Sequence, residues 1–167
     1  MRNQFAFFKA LTFIFFIAFV FDVQAQTTSS NLKWTKKVGA KKSPNKKKKF
    51  NVKDYGAISD GKIMNTAAIQ KAIDACAASG GGIVVFDAGE YLTGSVFIKA
   101  GVDFRIDEGV TLLGSQDIKD YQEIDTRVAG IEMKWPAALL NILNQEKASI
   151  SGNGLINAQG KVFWDYY

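Results

Sequence analysis

The side chains that carry most hydrolytic and metal chemistry are sparse in this chain. Its 167 residues include no histidine, which removes Ser-His-Asp and Cys-His nucleophilic catalysis and most zinc sites. Cys76 is the one cysteine, so no intrachain disulfide can form. It falls on the apolar stripe of a predicted helix, where a small buried hydrophobe is expected rather than a reactive thiol. Asp103, Asp107 and Glu108 are close enough in sequence to gather a calcium ion. Asp103 and Asp107 share the outward face of one predicted strand with Arg105 between them, so a solvated face and no metal site are expected. Gly152-x-Gly154 follows a strand but lacks the third glycine and the helix of a dinucleotide fingerprint, so a turn is expected there. An aromatic cluster, Trp164, Tyr166 and Tyr167, closes the sequence.

The elements that would position these residues start with one helix. Ala68, Ile69, Ala72, Ile73 and Cys76 recur at three- and four-residue spacing and form a single apolar stripe. Asn65 or Thr66 is placed to cap its start by accepting from a backbone N–H. Gly80 to Gly82 end it, because glycine enters the left-handed conformation without strain. Around the helix lie short strands punctuated by glycine turns: 50–52, 83–86, 90–93, 95–98, 102–106, 110–113, 139–143, 148–151 and 155–157. The segment from Ser115 to Pro136 breaks the pattern with many polar residues and scattered Tyr121, Ile131, Met133 and Trp135. It reads as a long loop with at most one helical turn, a kind of segment that is often functional. Short strands of this kind fit a sandwich or a parallel β-helix. The single helix near the start decides for the β-helix, since the terminal coil of a stack needs a cap. No comparable cap closes the C-terminal side, so the stack is expected to be incomplete there.

The first 25 residues read as a signal peptide. Arg2 and Lys9 precede the apolar run Ala10 to Phe21, and Val23-Gln24-Ala25 offers small residues for cleavage. A membrane span would want about 20 apolar residues. Cleavage after Ala25 predicts a mature chain from Gln26 and a secreted protein, extracellular or periplasmic, with no stable membrane span. Residues 26–49 hold nine lysines and no acid, as in a disordered, solvated linker. An adhesive role toward anionic polysaccharide is the functional alternative for this run. From Phe50 onward 10 basic and 15 acidic residues leave a net −5, so the domain at 50–167 is acidic. With Trp34 the single aromatic among the lysines and an export signal ahead of them, nucleic acid is not an expected partner.

Several stretches carry a family resemblance. Asn51-Val52-Lys53-Asp54-Tyr55-Gly56-Ala57, Asp60-Gly61, Thr66 to Ile73, Gly80-Gly81-Gly82, Gly89 to Gly94 and Gly109 to Ser115 resemble the N-terminal signature of pectin-active right-handed β-helix enzymes. Ile150-Ser151-Gly152-Asn153-Gly154-Leu155-Ile156-Asn157-Ala158-Gln159-Gly160, followed by Trp164, makes glycoside hydrolase family 28, the polygalacturonases, the better match. The resemblance covers Phe50 to roughly Trp164.

That resemblance implies an all-β, right-handed parallel β-helix with one N-terminal capping α-helix. It also implies hydrolysis of α-1,4-galacturonide bonds with inversion, pectin or polygalacturonate as partner, no cofactor, and a monomer at full length. Inversion needs an acid and a base carboxyl about 6.5–9.5 Å apart. The family places its aspartates in an Asn-x-Asp motif and an Asp-Asp pair, followed by Gly-His-Gly and Arg-x-Lys. None of the four motifs occurs here, so no catalytic residue is assigned and the chain alone is expected to be inactive. Trp164 and Tyr166 are the candidate substrate-binding residues, through ring faces that stack on sugars or pack against further coils. A calcium-dependent lyase of the same fold and a non-catalytic carbohydrate-binding β-helix are the alternatives.

Overall fold

The structure, a computed structural model, describes residues 42–165. The expected signal peptide over 1–25, most of the linker over 26–49, and Tyr166 lie outside the described residues. Twelve strands and two helices are described: β1 Lys49–Asn51, β2 Asp60–Met64, α1 Thr66–Ala78, β3 Gly82–Val85, β4 Gly89–Thr93, β5 Val96–Phe97, β6 Val102–Arg105, β7 Val110–Gly114, β8 Glu123–Val128, β9 Ile131–Pro136, β10 Leu140–Asn141, β11 Ser149–Ser151, β12 Leu155–Asn157 and α2 Lys161–Trp164.

Apart from β8 and β9, successive strands do not pair with each other. The chain visits three parallel sheets in turn, ordered β1-β3-β6-β11, β2-β4-β7-β12 and β5-β10. Val84 faces Phe104 and Gly89 faces Val110, so a coil without an insertion takes twenty or twenty-one residues. This is the expected parallel β-helix. Side chains alternate across each strand, and the inward ones stack into a continuous core. Val84, Val96, Val102, Phe104 and Leu112 are fully covered. Phe86 meets the rings of Tyr91 and Phe104 edge to face, with centroids 5.1 and 5.2 Å away.

The first coil has α1 where later coils have a strand of the third sheet. Ile69, Ala72, Ile73 and Cys76 turn inward as the spacing indicates. On the outer side of the stripe, Gln70 completes the edge of β5. Its amide donates to the Phe97 carbonyl at 3.0 Å and its oxygen accepts from the Phe97 N–H at 2.9 Å. One side chain thereby stands in for the peptide of an absent strand. Gln70→Ala is expected to destabilise the chain by about 1–3 kcal/mol, because a half-buried donor and acceptor lose their partners. An unchanged urea midpoint would contradict this.

Several expectations need correction. Asn65 precedes α1, yet its side chain makes no capping bond to the helix. Its oxygen accepts from Ile58 N–H at 2.7 Å, and its amide donates to the Ile58 and Ile63 carbonyls at 2.9 and 2.7 Å. The Asn65 side chain is 1 % exposed, so its own amide must be satisfied within the chain, and the loop's backbone groups supply the partners. The Thr66 hydroxyl instead accepts from Gly94 N–H at 2.7 Å. Val52, expected in a strand, starts a 3-10 turn over Val52–Tyr55, set by Asn51 accepting from Lys53 N–H at 3.0 Å. The expected loop over 115–136 is a 3-10 turn, Ile118–Asp120, followed by the antiparallel hairpin β8–β9. This antiparallel pair is an insertion between β7 and β10, and all three later strands pair in parallel.

Cys76 is buried, and burial pushes its thiol up to about 11. The folded chain is therefore expected to resist a thiol reagent at pH 8, with full labelling only after unfolding in urea. Rapid labelling of the native chain would contradict this packing.

Candidate functional site

The insertion between β7 and β10 builds a groove with chemistry to offer. Ser115 leaves β7 and organises the turn. Its hydroxyl bonds the Asp120 carboxylate and accepts from Asp117 N–H at 3.1 Å. Asp117 then caps the 3-10 turn by accepting from Lys119 N–H at 2.9 Å. This geometry drops Tyr121 inward, where its hydroxyl donates to the Ser115 carbonyl at 2.7 Å. Burial, with Asp120 adding to it, pushes the Tyr121 phenol up, so it stays neutral at ordinary pH.

The hairpin base is pinned to the coil beneath it. Ala137 N–H donates to the Gln122 carbonyl at 2.8 Å, and the Ser95 hydroxyl donates to the Ala137 carbonyl at 3.3 Å. Trp135 and Pro136 form one wall. On the far side Gln159 donates to the Gly114 carbonyl at 2.7 Å and folds the chain into α2. Phe163 then lies edge-on to Tyr121, with ring centroids 5.9 Å apart. The result is an open groove of about 830 Å³ lined by Trp135, Pro136, Tyr121, Phe163, Ile118 and Leu139, with Gln116 and Asp117 among its polar members. Aromatic walls with few polar groups suit a ligand with apolar ring faces.

Trp164 is 81 % exposed and does not line this groove; its neighbour Phe163 does. Tyr166 is outside the described residues. Tyr121 and Trp135 were visible in the sequence as aromatics in a polar segment, but nothing local indicated that they converge with Phe163.

The carboxylates behave differently from the sequence expectation. Asp103 is buried, not solvated. One of its oxygens accepts from the Ser149 and Ser151 hydroxyls at 2.8 and 2.7 Å, and the other pairs with Arg105 at 2.9 Å. The next coil covers it, which strand alternation cannot reveal. Asp107 remains exposed. No group of three or more metal-ligating side chains occurs among the described residues. Gly152 and Gly154 form a stacking turn: Gly154 N–H donates to the Ile106 carbonyl at 2.8 Å, and a side chain at either glycine would run into the coil below.

Three parallel sheets visited in turn, with few helices, are the architecture of the right-handed parallel β-helix pectin-degrading enzymes that are this chain's structural neighbours. Residues 49–132 match the family described as rhamnogalacturonase A/epimerase, pectate lyase-like, and the chain belongs to that family. An exo-poly-alpha-D-galacturonosidase of Dickeya chrysanthemi is 34% identical over 121 residues, covering 68% of this chain and 20% of the relative. The family 28 exopolygalacturonase structure from Yersinia enterocolitica is 34% identical with a TM-score of 0.60, covering 66% of this chain and 21% of that one. A mannuronan C5-epimerase of Azotobacter vinelandii is 64% identical over 42 residues, covering 25% of this chain and 2% of the epimerase. The chain thus spans about a fifth of the galacturonosidases it resembles.

Proposed function

We propose that the chain is part of an exported, pectin-directed glycoside hydrolase of the polygalacturonase type, cleaving α-1,4-galacturonide bonds with inversion. In this reading residues 42–165 supply coils and a sugar-contacting groove, not the catalytic pair. The groove carries the reading: among the described residues it offers three aromatic rings and one carboxylate, Asp117, whereas inversion needs two carboxyl groups about 6.5–9.5 Å apart. Its relation to the galacturonosidases supports a uronide polymer as the ligand.

The test uses the purified chain and polygalacturonate. Saturable quenching of tryptophan fluorescence is expected, with no release of reducing ends above a heat-killed control. Reducing ends would contradict the inactivity, and absence of quenching would contradict the uronide reading. Export rests on the sequence pattern of residues 1–25, and N-terminal sequencing of secreted material is expected to begin at Gln26. The 64% identity to an epimerase segment favours a second reading, action on mannuronan. Binding of mannuronan without binding of polygalacturonate would decide for it.

A further inference from the structure

We propose that Lys42, Lys46, Lys47, Lys48 and Lys49 form an ionic dock for an acidic polysaccharide, a second contact with the polymer outside the groove. The inference rests on the pectin-directed reading and adds a site at the other end of the stack. There β1 is one edge of its sheet, and β11, in the last described coil, is the other. All five lysines are exposed, and the fold fixes three of them. Lys49 lies opposite Ile83, and the Lys48 carbonyl accepts from Ile83 N–H at 2.8 Å. The Lys48 ammonium sits 5.0 Å from the centre of the Phe50 ring. The Lys46 ammonium sits beside Gly80, 3.2 Å from where a Cβ there would be. Gly80 follows the C-terminal end of α1, whose carbonyls favour a cation.

Charge is divided along the chain. Residues 42–81, the first coil with its helix, hold eight lysines and three aspartates, whereas residues 82–165 hold seven basic and twelve acidic residues. Of the three aspartates, Asp74 already pairs with Lys99 of a later coil at 2.8 Å. A polyanion near the molecule is therefore drawn to the first coil. Lysines on an edge strand also repel a stray partner strand, but that task needs charge on β1, and Lys42, Lys46 and Lys47 precede it. Residues 42–49 contain no aromatic or large apolar side chain, so bases have nothing to stack on and a lipid surface nothing to take up. A polyuronate asks for neither. One exposed ion pair is weak, but a polymer with a carboxylate on each ring makes several together. Where it also occupies the groove, the second contact gains from a raised effective concentration.

The experiment titrates the full chain with polygalacturonate and with its fully methyl-esterified counterpart, by calorimetry at low and high ionic strength. Lys42→Gln, Lys46→Gln, Lys47→Gln and Lys49→Gln are combined in one variant, with Lys48 left on the Phe50 ring. This variant is expected to bind polygalacturonate about tenfold more weakly at low ionic strength and to lose most of the salt dependence of the wild type. The ester lacks the charge and reports on the groove, so it is expected to bind both proteins equally. Arginine at the same four positions is expected to restore wild-type affinity. Equal affinity of the Gln variant and the wild type for polygalacturonate overturns the dock and leaves the pectin reading standing. Failure of the wild type to bind either polymer overturns both. Loss of ester binding in the Gln variant overturns the ionic origin and with it the proposal. Tighter binding of phosphatidylserine vesicles or duplex DNA than of polygalacturonate, abolished in the Gln variant, overturns the polysaccharide as partner.

Discussion

Asn65→Ala is expected to lower the stability of the chain by about 3 kcal/mol or more, read as a shift of the urea midpoint. Three backbone groups depend on this one amide: Ile58 N–H, Ile58 C=O and Ile63 C=O. The Asn65 side chain is 1 % exposed, so its loss leaves these groups facing a closed space, and each unsatisfied buried group costs about 1–3 kcal/mol. Asn65→Asp separates the roles. Its carboxylate still accepts from Ile58 N–H but places charge against two carbonyls. Its defect should shrink as pH falls, because protonation restores one donor. Equal stability of wild type and Asn65→Ala would contradict the arrangement.

Gly152→Val is expected to detach the last coil. Gly152 has φ +105°, and its Cβ would overlap the Ile106 carbonyl. The backbone strain alone is about 1–3 kcal/mol. The overlap adds to it, because that carbonyl cannot yield without losing its bond from Gly154 N–H at 2.8 Å. β11 and β12 are short edge strands resting on β6 and β7, so the damage should stay local. Hydrogen exchange is expected to accelerate at Ser149–Ser151 and Leu155–Asn157 while Val102–Arg105 keeps its protection. Uniform protection across both coils would count against the close approach at this turn.

The features legible in the sequence were those governed by one periodicity. The helix declared itself because Ile69, Ala72, Ile73 and Cys76 must share a face to be buried at all. The strands declared themselves because Val102, Phe104 and Ile106 alternate with polar residues. The hairpin did not, and its own chemistry explains why. It stands in solvent with charged residues on both strands, joined by exposed pairs such as Lys134 with Asp125 and Arg127 with Glu132. Its two-residue turn is Ala129-Gly130, with φ 48° and 88°, where Asn-Gly would have been the readable signal. Asp103 and Asn65 were correctly placed on their elements, but their partners come from a later coil and an earlier loop. The first pairing depends on the register between coils and the second on how the 58–63 loop folds back, and neither follows from periodicity.

That hairpin has a consequence for how such proteins diversify. Beyond it the chain returns to the place it left: Leu140 lies opposite Val96 and Asn141 opposite Phe97, with no shift between them. Segment 123–136 therefore behaves as a detachable accessory mounted on an unchanged frame. Exchanging it for a hairpin of different composition would reshape the groove wall that Trp135 and Pro136 form while every rung stayed in step, without renegotiating the architecture.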